Sequence, residues 1–222
     1  MTLADLLDSA LVQPGFDAIE VTDITLDSRR AGPGCVFAAL PGVKVHGRQF
    51  AASAVERGAV AVVSDTPIDG IDAPVSVVDD PASLFAFMAA KVYPGQPGHV
   101  VAVTGTNGKS STVEFLRQIW VRAGIDGASL GTLGVTRGHD REVTGYTTPD
   151  AAALQKALSS LARDGVTHLA MEASSHGLKQ RRMEAVELAI AGFTNLTQDH
   201  LDYHPDFDDY FRSKQRLFTE RL

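Results

Sequence analysis

Val101-Ala102-Val103-Thr104-Gly105-Thr106-Asn107-Gly108-Lys109-Ser110-Ser111 carries an apolar strand pattern straight into a glycine-bearing turn closed by Lys-Ser. Glycines let backbone N–H groups approach an anion closely, a lysine supplies positive charge for β/γ-phosphates, and a following hydroxyl can hold Mg²⁺. Gly105, Gly108, Lys109 and Ser110 supply those parts in order, with Thr106, Asn107 and Ser111 completing the loop. The common G-x-x-x-x-G-K-[ST] spelling is not met, because its first glycine would fall at Val103; the loop reads as the shorter G-x-x-G-K-S. Beyond it, Val113, Leu116, Ile119, Trp120 and Ala123 recur at helical spacing, which predicts a helix from about Gly108 to Arg122 with one apolar face. Phosphates would sit at its N-terminus, where unpaired N–H groups and the helix dipole favour an anion. The alternative is an ordinary strand-to-helix turn with a chance lysine.

Strands alternate with helices on both sides of this loop. Upstream, strands are expected at Thr22 to Leu26, Val36 to Leu40, Ala59 to Val63 and Val75 to Val78, with helices at Arg48 to Arg57 and Ala82 to Val92. Downstream, strands at His99 to Thr104, Leu169 to Glu172 and Leu188 to Phe193 alternate with helices at Lys109 to Arg122, Asp150 to Arg163 and Phe207 to Phe218. That pattern implies an α/β protein with a mostly parallel sheet covered on both faces, whose ligands gather at the carboxyl ends of the strands. The run Tyr93-Pro94-Gly95-Gln96-Pro97-Gly98 is the best linker, dividing a small α/β domain, 1–97, from a phosphate-loop domain, 98–222. Three parallel strands are few for an ATPase sheet, so the second domain reads as incomplete, with a free edge beside its last strand.

With 222 residues, 44% of them hydrophobic, the chain can bury one sizeable core or two modest ones. A net charge of −7 argues against a general nucleic-acid footprint. Acids near Met1 and the lack of a long apolar run argue against a secretory leader or membrane insertion, so a cytoplasmic location is expected. Cys35 is the sole cysteine, which excludes an intrachain disulfide.

Three further segments could carry chemistry. In Met171-Glu172-Ala173-Ser174-Ser175-His176-Gly177-Leu178, Glu172 ends a strand level with the phosphate loop, where a carboxylate can take Mg²⁺; it could equally cap the next helix. Phe193-Thr194-Asn195-Leu196-Thr197-Gln198-Asp199-His200-Leu201-Asp202-Tyr203-His204 crowds ionisable groups into a strand-to-helix loop, where His200 is either a cation ligand or a partner of a neighbouring carboxylate. Tyr146-Thr147-Thr148-Pro149-Asp150 opens a helix, and capping alone would explain its hydroxyls. Lys214, by its neighbours, is a solvated helix lysine.

Together these segments, with Thr25-Leu26-Asp27-Ser28-Arg29, closely resemble the ATP-dependent Mur ligases of peptidoglycan synthesis, in the expected order along nearly the whole chain. The resemblance is to the member that adds the third residue of the stem peptide. It implies that Leu26 and Ser28 touch the uridine diphosphate of a UDP-N-acetylmuramoyl-dipeptide, beside the Gly42 to Gly47 loop. Thr147, Thr148, Ser174, Gln180 and Arg182 would hold the muramoyl-dipeptide. Lys109 and Ser110 would serve ATP and Mg²⁺; Glu172, His200 and Lys214 would take metal, Lys214 as a carbamate. Lys109, His200 and Lys214 then form the catalytic set. The implied reaction activates the substrate carboxylate as an acyl phosphate, which the amine of diaminopimelate or lysine displaces. No nucleic-acid or membrane partner follows, and a monomer is expected. The sequence departs from the family pattern at His46, where aspartate is common, and at Gln198, where a basic residue is frequent. Relatives continue beyond Leu222 into an amino-acid-binding domain, so a chain complete at Leu222 is not expected to finish the ligation. The rivals are a non-catalytic UDP-sugar-binding module, a folylpolyglutamate synthase and a generic P-loop ATPase.

Overall fold

The computed structural model describes residues 1–42, 45–138, 140–142 and 147–222, and the chain divides into two compact units, Met1–Val92 and Tyr93–Leu222. The division falls at the front of the Pro/Gly run, where two prolines withhold backbone donors and the chain leaves the preceding helix.

The first unit is built on four parallel strands in the order β1 (Asp23–Thr25), β2 (Cys35–Ala39), β3 (Ala59–Ser64), β4 (Val75–Val77). Every residue of β2 is buried, because helices cover the sheet on both sides. On one side, α2 (Ala51–Glu56) sets Ala51 and Ala54 against Phe37, Ala39, Ala59 and Val62. Helix α3 (Pro81–Val92) packs on β1 and β2, with Phe85, Met88 and Ala89 buried. A single-turn helix, α1 (Leu3–Leu6), is closed by a reciprocal Thr2/Asp5 capping box. The helix expected from Arg48 starts instead as a 3₁₀ turn over Gly47–Phe50, and the α-helix proper begins at Ala51. Residues 43 and 44, in the expected uridine-side loop, lie outside the described residues, as does Tyr146.

The second unit has six strands, ordered β10 (Ile190–Phe193), β5 (His99–Thr104), β9 (His168–Glu172), β6 (Gly127–Gly131), β7 (Gly134–Arg137), β8 (Asp140–Glu142). The first four run parallel; β7 and β8 add an antiparallel meander. The expectation of a three-strand sheet is therefore corrected. Strand β6, Gly-Ala-Ser-Leu-Gly, lacks β-branched residues, and tertiary packing decides its state. A Cβ on Gly127 would lie 3.0 Å from the Trp120 side chain, and one on Gly131 would strike Glu172. The expected free edge is present, since β10 pairs with β5 alone among the described strands.

Alternate residues of β5 face opposite cores, as the two-residue strand period requires. Val100 and Ala102 join Leu130, Leu169 and Met171 beneath α5 (Ala151–Arg163) and α7 (Phe207–Thr219), which contribute Leu154, Leu158 and Leu217. Val101 and Val103 pack with Ala170 under α4 (Lys109–Arg122), through Val113, Leu116 and Trp120. Ile119 and Ala123, expected on that apolar face, are exposed, Ile119 by 60%. At about 100° per residue they lie on the flank of the 113/116/120 stripe.

Candidate functional site

Strands β5, β9 and β10 all end at the same level, because Val103 pairs with Glu172 and Thr104 with Phe193. The phosphate-type loop leaves β5 there. Gly105 has φ +139, and a Cβ on it would come within 1.9 Å of the Thr194 hydroxyl, so only glycine lets the turn pass under the neighbouring loop. Gly108, at φ 87, caps α4 in the left-handed region. The loop is pinned from β10's side: the Thr106 N–H donates to Asn195 O (2.8 Å) and the Asn107 N–H to Asn195 Oδ1 (3.1 Å). Thr194 Oγ1 and Asn195 Nδ2 both donate to Asn107 O, at 2.6 and 3.0 Å. Thr106 Oγ1 donates its one proton to Thr197 O (3.1 Å), so the buried Tyr210 hydroxyl, 2.9 Å away, is the donor to Thr106.

Two lysines meet under this loop. Lys109 Nζ donates to Gly105 O (2.9 Å) and Thr106 O (2.8 Å), occupying the concave side of the turn. Burial holds its pKa below the usual lysine value, against the opposing pull of Glu172 and Asp199. Lys214, expected from its neighbours to be solvated, is 1% exposed on α7, donates to Gly105 O at 2.8 Å, and lies 4.5 Å from the Tyr210 ring centroid. Burial first, and the Lys109 charge second, push its pKa down to about 7. A lysine whose pKa lies near 7 has a substantial neutral fraction at neutral pH, and that fraction is a nucleophile rather than a fixed cation.

Glu172 is 1% exposed and does not cap the next helix; Ser174 does, accepting from the Gly177 N–H at 3.0 Å. Its Oε1 instead accepts from the Thr132 N–H (2.8 Å) and its Oε2 from Thr132 Oγ1 (3.3 Å), while Thr132 Oγ1 stands 2.9 Å from Thr147 Oγ1. Thr132 thus joins the carboxylate to the first threonine of the Thr-Thr-Pro-Asp segment. Sequence reading missed it, although the Gly131-Thr132-Leu133-Gly134 spacing marks the turn that presents it.

The remaining polar side chains form one bonded set. Thr148 Oγ1 donates to Glu172 O (3.0 Å) and accepts from the Ser174 N–H (3.1 Å) and the Ser174 hydroxyl (3.0 Å). Arg182 donates to Thr148 O (2.5 Å) and, through Nη2, to Gln180 Oε1 (2.6 Å). Thr147, Thr148, Ser174, Gln180 and Arg182, scattered over 147–182, are therefore brought together. His200 sits at φ +54, with its side chain 3.6 Å from Asp199 and its ring edge-on to His176, centroids 5.0 Å apart. His176 is pushed down to about 4 by burial, then by the adjacent His200, His204 and Arg182. Leu26 and Ser28 belong to the first unit, at the exit of β1, where Asp27 caps a 3₁₀ turn at Ser28–Arg30. Asp27 is held at about 2 by its hydrogen bonds with Arg29. His46 also lies in that unit, 2.9 Å from Asp65 at the end of β3.

The donor set fits a hard divalent cation held with a nucleotide. Magnesium takes one or two carboxylates and hydroxyls plus phosphate oxygens, and the buried Glu172 carboxylate stands beside Lys109 and the Ser110 turn. No three His, Cys, Asp or Glu side chains converge as a metal cluster among the described residues.

A phosphate loop on a parallel sheet, with a carboxylate on the next strand and a buried lysine behind it, defines a nucleotide-phosphate type of site. The chain belongs to the Mur ligase family: its middle-domain model matches residues 103–221 and its catalytic-domain model residues 20–93. The chain is 47% identical over 221 residues to UDP-N-acetylmuramoyl-L-alanyl-D-glutamate--2,6-diaminopimelate ligase of Bradyrhizobium diazoefficiens, covering 99% of this chain and 46% of that protein. It is 50% identical over 225 residues to the Mesorhizobium japonicum ligase of the same name, covering 100% and 46%. A solved structure of a ligase with that name superposes with a TM-score of 0.82 at 30% identity, over 98% of this chain and 45% of the other. The chain thus spans slightly less than half the length of these relatives. Among the described residues, no helix is long and apolar enough to cross a membrane.

Proposed function

We propose that this chain forms the sugar-nucleotide-binding and phosphate-loop part of an ATP-dependent ligase joining 2,6-diaminopimelate to UDP-N-acetylmuramoyl-L-alanyl-D-glutamate. The relatives' names supply the substrates. The observation that carries the reading is the convergence of Lys109 and Lys214 on the Gly105 carbonyl, with the Glu172 strand end at the same level.

In this reading ATP lies with its phosphates against the Gly105 to Ser111 turn and the N-terminus of α4. Lys109 leaves the two loop carbonyls it now satisfies and moves its charge onto the β/γ-phosphates, where it offsets repulsion between ATP and the substrate carboxylate. Ser110 and Glu172 hold Mg²⁺, which supplies further charge neutralisation on the phosphates. Thr147, Thr148, Ser174, Gln180 and Arg182 orient the muramoyl-dipeptide so that its terminal carboxylate lies in line with the γ-phosphorus. The carboxylate oxygen forms a bond to phosphorus as the bond to the ADP oxygen breaks; the incoming amine nitrogen then bonds to the acyl carbon, gives up a proton, and inorganic phosphate departs as the C–O bond breaks. Lys214, with its pKa near 7, is suited to carbamate formation: the neutral amine bonds to CO₂ and gives up one proton. That carbamate and His200 would hold a second cation, whose charge would further offset the phosphates. Leu26 and Ser28 hold the uridine diphosphate end. The molecule acts as a monomer in the cytoplasm, and the domain limits are 1–97 and 98–222.

Titration calorimetry of the chain with UDP-N-acetylmuramoyl-L-Ala-D-Glu and, separately, with Mg-ATP tests this reading. Binding of both, with Lys109→Met abolishing only the second, is expected. Binding of neither, or of a folate in place of the UDP-sugar, would sink it.

A further inference from the structure

The adjacent residues Tyr203 and His204, in the loop between β10 and α7, grip both ends of the short helix α6 (Ser175–Lys179). His204 is 1% exposed, and both of its ring nitrogens are engaged: Nε2 is 3.0 Å from Ser175 Oγ at the first residue of α6, and Nδ1 is 2.5 Å from Asp209 Oδ2 on α7. A carboxylate oxygen only accepts, so the Nδ1 side carries a proton; in the neutral ring Nε2 is then the acceptor of the serine hydroxyl's proton. Lys179, at the last residue of α6, donates to the same Asp209 oxygen at 2.6 Å. Burial would raise the Asp209 pKa, but the bonds from Lys179 and His204 outweigh it and hold the carboxyl below its usual value. At the C-cap of α6, Gln180 Nε2 donates to the Tyr203 hydroxyl at 3.0 Å. The Tyr203 ring stacks on His176, the second residue of α6, with centroids 3.9 Å apart.

Five residues are too few to hold a helix by their own hydrogen bonds, so the orientation of α6 is set by what grips it. The helix is flanked by Ser174 and Gln180, and Arg182 follows. The gripping loop also carries His200, four residues before His204.

We propose that Tyr203 and His204 are positioning residues: they clamp α6 from both ends and set Ser174, Gln180 and Arg182 for the muramoyl-peptide while tying that set to the His200 loop and to α7. This inference rests on the reading of those three side chains as substrate ligands. The clamp is built from an aromatic stack plus four polar links, Ser175 to His204, His204 to Asp209, Lys179 to Asp209 and Gln180 to Tyr203, each removable without emptying the core. The His204 ring packs on Tyr210, centroids 5.3 Å apart, and the Tyr210 hydroxyl holds Thr106 of the phosphate loop, so selectivity between the two ligands is read on Tyr203→Phe and Ser175→Ala, which leave the His204 ring in place.

The test uses the 222-residue chain labelled with ¹⁵N, in wild-type form and as Tyr203→Phe, Ser175→Ala and His204→Phe. Imidazole NMR should show His204 as the Nδ1–H tautomer, with that proton slow to exchange with D₂O; an Nε2–H tautomer or a fast-exchanging proton overturns the clamp. Calorimetry should show Tyr203→Phe and Ser175→Ala weakening UDP-N-acetylmuramoyl-L-Ala-D-Glu by about tenfold, the scale of one lost polar constraint, with Mg-ATP affinity within about twofold. Equal weakening of both ligands, or of neither, refutes a positioning role. His204→Phe, which keeps a ring in the space, should weaken the UDP-sugar at least as much as Ser175→Ala, and wild-type affinity in it is a further refutation. A wild-type chain that binds neither ligand defeats the proposed function, and the tautomer and its exchange then decide the clamp by themselves.

Discussion

Lys214 and Gly131 show how single residues hold this site in a costly state. Lys214 sits at about 7 when folded and returns to an ordinary lysine value, 10.5, when unfolded. Below pH 7 both states are protonated and the folded protein bears the full cost of a buried cation. Between about 7 and 10.5 the unfolded chain binds more protons, so stability rises with pH through that window. Lys214→Met removes the titration, and its stability should exceed wild type by a few kcal/mol near pH 6, with the gap closing toward pH 10; urea melts at several pH values measure it, and a constant gap would contradict the burial argument. Gly131 answers to a different force. A Cβ there would lie 2.1 Å from Glu172 Oε1 and 2.6 Å from Cγ and Cδ, so Gly131→Ala displaces a buried carboxylate from both Thr132 bonds. A loss of about 1–3 kcal/mol is expected, together with weakened Mg-dependent ATP binding by calorimetry. Gly98→Ala, with no atom within 4 Å of the added Cβ, should change stability by less than about 0.5 kcal/mol.

At the scale of elements, the features that sequence made legible are those governed by local chemistry. Asp150 was read as a helix start and caps α5, accepting from the Ala153 N–H at 2.9 Å. Asp150→Ala should cost about 1 kcal/mol in a urea melt without altering the cooperativity of unfolding; a change below about 0.3 kcal/mol would show that tertiary packing alone holds the helix end. The bounds of β5 and α4 follow from an apolar run and a glycine break, and the structure places both where those signals fall. The β6–β7–β8 meander was illegible because its first strand carries glycine, alanine and serine where propensity asks for β-branched side chains; Trp120 and the Glu172 carboxylate, distant in sequence, demand the small residues. The same limit applied to the site. Glu172 stood out by its strand-end segment, and Thr147, Thr148 and Ser174 entered as site residues through the family resemblance, whereas Thr132, Tyr203 and Ser175 make contacts that span 15 to 40 residues. Lys214 drew notice only through family resemblance, although Tyr210 four residues before it and Leu217 three after it are buried on the same face of α7 and mark that face as inward. Ile119 erred the other way: near-helical spacing placed on the apolar face a residue that lies on its flank.

On the scale of the whole molecule, the two units carry separate cores, and that predicts separate folding. Met1–Val92 packs Phe37, Ala51, Ala54 and Val62 on one side of its sheet and buries Phe85 and Met88 of α3. Tyr93–Leu222 buries β5 and β9 on both faces, with Leu130, Leu154, Leu158, Leu169, Met171 and Leu217 in the larger cluster. Longer chains bury a larger fraction of their surface, and a span near 90 residues is close to the lower end of comfortable domain sizes. Pieces 1–92 and 93–222, expressed separately, should therefore each unfold cooperatively, the second at the higher temperature. Every residue assigned to ATP and Mg²⁺ lies after Val92, so the 93–222 piece should bind Mg-ATP within about threefold of the intact chain, and 1–92 should bind none. On the proposed reading of Leu26 and Ser28, 1–92 should bind UDP and 93–222 should not. Differential scanning calorimetry and titration of the two pieces supply the readouts. A 93–222 piece that melts without a cooperative transition and binds dye as a loose globule would show that its packed core depends on the first unit. One that folds but fails to bind nucleotide would show that the strand ends and the Gly105 loop are insufficient as a phosphate site, however well Thr194, Asn195 and Tyr210 hold that loop in shape.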